Sequence, residues 1–275
     1  MADKFRFIKK VIAGGCSFTH GSELEDYNLN NPENDIIVEA SKHTWADHVT
    51  KNLFKNATLD NVAWPGIGYE SIVRRVIYQC EKNLKKYKPQ DIVVLIMWSS
   101  VLRREFVSIT ENEKTHNEEY FLNSLPSDGD GKLSLGVNKD GKFTKERSKK
   151  WNNEKLSITV QNFYLYRNTY ENRIYTPLQQ LEYLNFYLKS KGIPYFYTCA
   201  FDDIRKNYKS DNIFIQNMIE RTNINNLYFK VNDNGFYTWA KNNNYKCGQL
   251  ADHPLEDAHK DWATYFSNYI LTKRL

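Results

Sequence analysis

Two short stretches at opposite ends of the chain hold the residue types that acyl-transfer chemistry needs. Near the amino terminus, Val11-Ile12-Ala13-Gly14-Gly15-Cys16-Ser17 runs from apolar residues into a Gly-Gly pair and a hydroxyl. That order reads as a buried strand breaking into a tight turn with Ser17 at its tip. A serine there either attacks a substrate or caps the next helix with its oxygen, and the local sequence serves both roles. Near the other end, Asp252-His253-Pro254 sets an acid and an imidazole just ahead of a helical pattern that begins at Glu256. A serine hydroxyl becomes a useful nucleophile when a base takes its proton, and an imidazole serves as that base when a carboxylate orients it. Ser17, Asp252 and His253 are therefore the parts of a hydrolytic triad, in the chain order serine, acid, histidine.

With these residues in view, four blocks of the chain resemble the SGNH (GDSL-type) hydrolases, in wording closest to the versions found in tailed bacteriophages. Gly15-Cys16-Ser17-Phe18-Thr19 resembles the first block and puts Ser17 at the nucleophile position. Asn61-Val62-Ala63-Trp64-Pro65-Gly66-Ile67-Gly68 resembles the second, in which a glycine amide lines the oxyanion hole, here Gly66. Leu95-Ile96-Met97-Trp98-Ser99-Ser100 stands where Gly-x-Asn-Asp belongs, and Asp252-His253-Pro254 resembles the last block and puts His253 on the general base. The blocks follow the family's order across nearly the whole chain. Two positions depart from the pattern: Ser99 replaces the asparagine, and Leu250, three residues before His253, replaces an aspartate. The orienting acid is then Asp252, Glu256, Asp257 or none, with Asp252 preferred. No Gly-x-Ser-x-Gly elbow is present, which argues against the other large serine-hydrolase class.

The resemblance implies an esterase or deacetylase acting on a small ester or an acylated glycan, with oxyanion donors from the Ser17 and Gly66 amides and the Ser99 hydroxyl. It implies no cofactor and no metal, and the histidines and carboxylates show no ligand spacing. The alternative is a catalytically weak protein of the same fold that serves as a binding or virion structural module. His20, Trp98, Arg103 and Glu105 are the candidates for touching substrate; His20 serves equally as a packing residue, and Arg103 with Glu105 equally as a brace.

Positioning these residues falls to alternating elements. Strands are predicted near 9–15, 58–64, 91–98, 194–200 and 226–231, and helices near 44–55, 68–86, 172–191, 210–221, 235–243 and 256–272. Strand and helix in alternation imply a flavodoxin-like three-layer α/β/α sandwich on a mostly parallel five-stranded sheet. Residues 1–275 form one domain, and 103–172 break the rhythm as an insertion. Asp128-Gly129-Asp130-Gly131 and Asp140-Gly141 flank an alternating stretch there and predict a β-hairpin, either a cap over the site or a surface excursion.

The chain has 275 residues and a net charge of +5, enough for a large core and too modest a charge to name a polyanionic partner. Lysine groups at 82–88 and 142–155 read as solvated faces without a recognition motif, so nucleic acid is not the expected partner. The four cysteines are far apart and read as reduced thiols. With no signal peptide or membrane span visible, the expectation is a cytoplasmic product, which if phage-encoded could finish in a particle.

Overall fold

All seven residues from Ile92 to Trp98 are buried, a pattern that a strand covered on both faces permits. That strand is the centre of the fold. The computed structural model describes residues 5–26, 39–101, 103–108, 120–124, 170–201, 212–222, 228–232, 234–249 and 251–273. In chain order the described elements are β1 (Lys10–Gly15), α1 (Ser17–His20), α2 (Trp45–Leu53), β2 (Thr58–Asn61) and α3 (Tyr69–Leu84). They continue with β3 (Ile92–Trp98), β4 (Arg104–Ser108), β5 (Tyr120–Ser124), α4 (Tyr170–Lys191) and β6 (Tyr195–Cys199). The last are α5 (Ile213–Thr222), β7 (Tyr228–Phe229), α6 (Phe236–Asn242) and α7 (Glu256–Thr272).

The main sheet runs β2-β1-β3-β6-β7 with every pairing parallel. Four of its strands have four or more residues and β7 has two. Because side chains alternate along a strand, the two faces separate cleanly. Val11, Ala13, Val93, Leu95 and Met97 pack with Trp45 of α2 and with Trp262 and Phe266 of α7. Ile12, Val94 and Ile96 pack with Ile72 and Val76 of α3 and with Leu181 and Leu184 of α4. This is the expected three-layer sandwich, and the strand order makes β1 and β3 adjacent with the direction of winding reversing between them. Open α/β sheets hold ligands at such a point, outside the carboxyl ends of the strands. Ser17 follows β1 and Ser99 follows β3.

The predicted elements lie within a few residues of the observed ones. β2 stops at Asn61 because its side chain turns back: Oδ1 accepts from Ala63 N–H at 3.1 Å. In the insertion, β4 and β5 pair antiparallel; the turns at 128–131 and 140–141 lie outside the described residues. None of the four cysteines is in a disulfide. Among the described residues no helix is long and apolar enough to cross a membrane.

His259 on α7 ties the layers to the loop before it. Its Nδ1 accepts from Trp45 N–H at 3.0 Å, so the other ring nitrogen holds the proton, and the ring also bonds to the backbone of Pro254. Full burial pushes this imidazole down to about 3 from an ordinary 6.5, and it is neutral in the fold. Since the folded value lies below the unfolded one, the stability that neutral His259 confers is complete above about pH 6.5 and is lost as pH falls toward 3. By pH 5 the loss is about 2 kcal/mol. Urea midpoints at pH 7 and pH 5 check this, and His259→Gln is expected to be less stable at pH 7 but to change less between the two.

Candidate active site

Where β1 ends, the chain folds into the single turn of α1. The Gly14-Gly15 pair makes room for it: a β carbon on Gly14 would meet Val76 at 2.5 Å, and one on Gly15 would meet Thr19. Thr19 N–H and His20 N–H both donate to the Cys16 carbonyl. The Ser17 amide therefore sits at the open amino end of the turn, ahead of its first hydrogen bond. Gly21 closes the turn with a left-handed φ of 85°, and Glu23 follows with φ of 70°. Two left-handed residues so close together swing Glu23 back past Ser17, toward a loop near the far end of the chain.

The two arms of that loop pair closely. Cys247 bridges to Pro254, Gly248 N–H donates to the His253 carbonyl at 2.8 Å, and Leu255 N–H donates to the Lys246 carbonyl at 3.1 Å. The resulting narrow hairpin presents His253 to the first strand's turn. Ser17 Oγ lies 2.8 Å from His253 Nε2, and His253 Nδ1 lies 2.7 Å from Glu23 Oε2. A carboxylate can only accept, so Nδ1 holds the proton and Nε2 accepts from the Ser17 hydroxyl. Glu23 Oε2 also accepts from the backbone N–H groups of Ala251 at 3.1 Å and His253 at 3.2 Å. The side chains of Glu23 and His253 are 5% and 13% exposed, which keeps water from competing for these bonds. Phe18 meets the imidazole edge-on at 5.0 Å.

Burial lowers the His253 pKa; the hydrogen bond and charge of Glu23 oppose that, and the Arg103 cation adds to it. The net shift is downward, so the ring is neutral and able to accept a proton at neutral pH.

The sequence-predicted acid, Asp252, is not on the histidine. Neighbouring side chains on this segment point apart, so with His253 turned toward Ser17, Asp252 turns toward α6. There it accepts from Tyr237 Oη at 2.5 Å and Lys241 Nζ at 2.6 Å, half exposed. Glu256 accepts from Glu25 N–H at 2.6 Å and Asp257 is exposed. The acid that sequence reasoning missed is Glu23, in the segment just after α1. Its available signals were Gly21, which marks the end of α1, and Leu250, which left the position three residues before the histidine without a carboxylate.

Trp98 also requires correction. Its position at the end of β3 suggested substrate contact, but its side chain turns inward, fully buried, stacked on Tyr69 at 4.6 Å and edge-on to Tyr197 at 5.4 Å. His20 packs edge-on against Trp64 at 5.5 Å and lines a cleft of about 570 Å³ with Trp64, Asn61 and Arg75. Neither Ser17 nor His253 lines that cleft. Glu105 lies in β4 opposite Asn123. Gly66 has φ of 80°, a backbone that glycine adopts without strain. Its loop is fixed to the end of β1 by Trp64 N–H to Gly15 O at 3.2 Å and to α1 by Asn61 Nδ2–H to Thr19 O at 2.7 Å. Ser99 is 1% exposed, and its hydroxyl has no hydrogen-bond partner among the described residues. Arg103, 8% exposed, lies beyond it. No cluster of three metal-ligating side chains occurs among the described residues.

The fold and this Ser-His-Glu arrangement define a class, an α/β sandwich with a serine hydroxyl joined through an imidazole to a carboxylate. No protein-family model and no curated protein matches the chain. Solved structures are similar to it over nearly its whole length. One is a protein described as lipolytic, of the G-D-S-L family, from Desulfitobacterium hafniense DCB-2, at 12% identity and TM-score 0.42 over 94% of this chain and 98% of that one. Another is a G-D-S-L lipolytic family member from Veillonella parvula DSM 2008, at 10% and 0.40 over 97% and 100%. A third is a Corynascus thermopiles (Myceliophthora fergusii) carbohydrate esterase family 2 enzyme with its carbohydrate-binding domain, at 11% and 0.44 over 96% and 66%. The fold is defined by the strand order above, and the chemistry by the contacts around His253.

One substitution tests the placement of Glu23 without touching a reacting group. A β carbon at Gly248 would lie 2.4 Å from the Glu23 carboxylate. Gly248→Ala should therefore push that carboxylate off the ring. Because Glu23 raises the His253 pKa, NMR titration is expected to give a lower His253 pKa in Gly248→Ala, and in Glu23→Gln, than in the unaltered protein.

Proposed function

We propose that the protein is a serine hydrolase of carboxylic esters, with Ser17 as nucleophile, His253 as base and Glu23 as the acid that orients it. The observation that supports this is the pair of contacts on one imidazole, 2.8 Å to Ser17 and 2.7 Å to Glu23. In this reading the Ser17 hydroxyl attacks the ester carbonyl while Nε2 takes its proton. The imidazolium that forms is stabilised by Glu23, and it returns the proton to the leaving alcohol. Water activated by the same nitrogen then cleaves the acyl-enzyme and regenerates Ser17.

The oxyanion would be held by the amides of Ser17 and Gly66 and by the Ser99 hydroxyl. Each donor of this kind contributes about 3 to 4 kcal/mol in the transition state. An unpartnered buried hydroxyl is costly in the resting protein, and a partner that arrives only with the reaction gives that cost a use. The alternative of a weak binding module rested on Leu250 and Ser99. Glu23 removes the first reason, which favours the enzyme. A small ester or an acylated glycan remains the proposed substrate, on the sequence resemblance.

Hydrolysis of a short-chain chromogenic ester tests this. Ser17→Ala is expected to lower kcat by about 10⁴-fold or more with the melting temperature retained; equal rates in the two proteins would refute the assignment. Glu23→Gln should cost about 10³- to 10⁴-fold and Asp252→Asn little. Since the base must be neutral, kcat/KM should rise with pH through a midpoint below histidine's ordinary value, and Glu23→Gln should move that midpoint lower still.

Ser99 has its own signature. Ser99→Ala should reduce kcat by more than it raises KM, because the hydroxyl would act mainly on the oxyanion. Steady-state kinetics separate the two effects, and unchanged kcat would leave the oxyanion to the backbone amides alone.

A further inference from the structure

The outer faces of the two helical layers differ in what they show to water. Among the described residues eight large hydrophobic side chains are exposed, and six of them stand on the layer of α3, α4 and α5: Tyr78, Tyr175, Tyr183, Phe186, Ile213 and Phe214. On the opposite layer Tyr265 of α7 is exposed among polar neighbours, Asp257, Lys260, Thr264 and Asn268. Phe186 and Phe214 are 74% and 75% exposed, so neither is a core side chain with only an edge showing.

Packing gathers the six onto one surface. α4 lies against α3 on one side and α5 on the other, and all three cover the same core cluster. Tyr187 Oη and Lys191 Nζ of α4 both reach Glu81 of α3, at 2.7 and 2.8 Å, and Glu182 of α4 pairs with Arg221 of α5 at 3.1 Å. Tyr78 lies one turn before Glu81, Tyr183 one turn before Tyr187, Phe186 one turn after Glu182 and Phe214 two turns before Arg221. The exposed rings therefore line the two seams that these pairs close.

Between residues 174 and 188 the exposed positions of α4 are Tyr175, Gln179, Tyr183 and Phe186. None is charged, and the Glu182 beside them is neutralised by Arg221. A solvated helix face carries charges, whereas the centre of a protein interface gathers aromatic residues and sheds charged ones. An aromatic side chain buries about 150–250 Å² when covered, so the exposed parts of the five rings and Ile213 come to roughly 700 Å². A stable interface of standard size takes about 800 Å² from each partner, and the exposed Gln179 and Gln216 on the same face add to the total.

We infer that this face is the contact between two copies of the chain, with α4 of one protomer against α4 of its partner. A two-fold axis sets a patch against its own copy, so a charged row would repel itself and an uncharged one does not. A lipid surface fits less well. Binding to anionic lipid draws on lysine and arginine around the apolar residues, and α4 has neither between Tyr175 and Lys189.

Sedimentation equilibrium of the full chain tests this. A dimer with Kd on the order of 1 μM or below is expected. Phe186→Glu and Phe214→Glu should each raise that Kd by about tenfold or more, because each sets a charge into an apolar row. Tyr265→Glu, on the other layer, should leave it unchanged. Both phenylalanines are largely in water in the single protomer, so the variants are expected to keep its far-ultraviolet circular dichroism; if one of them folds poorly, Tyr183→Lys puts a charge on the same row and should weaken the dimer as much. Three results would overturn the inference. One is a monomer at every concentration up to about 100 μM, and another is a dimer whose Kd the variants on α4 and α5 leave unchanged. The third is a monomer that sediments with phosphatidylcholine–phosphatidylserine vesicles through Phe186 and Phe214, which would make the face a lipid surface.

Discussion

One carboxylate oxygen, Oε2 of Glu23, joins the two ends of the chain. It takes the Nδ1–H of His253 and the backbone N–H groups of Ala251 and His253, so the imidazole and the hairpin that bears it are held by the same atom. Charge-assisted bonds of this kind are stronger than neutral ones, and their burial keeps water from competing. Glu23 adopts a left-handed backbone that costs a non-glycine residue on the order of 1 kcal/mol. The three bonds to its side chain offset that cost.

The remaining contacts of the loop support the same geometry from outside. Asp252 links it to Tyr237 and Lys241 of α6, and Glu256 links the start of α7 to Glu25. His259 connects the Pro254 backbone to the first residue of α2. Carboxylates that look alike in the chain thus divide into one on the ring and two that fasten the surrounding backbone. Their roles differ by the direction each side chain takes, which follows from local backbone conformation.

The fold was readable because its cause is periodic. A continuous apolar run such as Ile92–Trp98 has few solutions besides a strand buried on both faces, and strand–helix alternation leaves a parallel sheet as the simple way to pack. Ser17 and His253 were readable for a different reason, since each stands in a short motif beside a turn signal. Glu23 had no such mark. Its partnership crosses 230 residues and depends on two left-handed backbone choices after α1 that no apolar period encodes. Trp98 illustrates the opposite difficulty. Its place at a strand end suggested exposure to the site, yet alternation along β3 sets it on the same face as Val94 and Ile96, packed with Ile12 against α3 and α4.

The distribution of the three groups along the chain also bears on how the protein is made. Ser17 and Glu23 lie near the amino end and His253 lies beyond all five strands of the main sheet. During synthesis, the hydroxyl and its distant carboxylate emerge together, while the imidazole that connects them leaves the ribosome only after the sheet's last strand. In a nascent chain stalled before residue 247, Ser17 and Glu23 lack the imidazole that joins them. Assembly of this Ser-His-Glu arrangement is therefore coupled to completion of the sandwich.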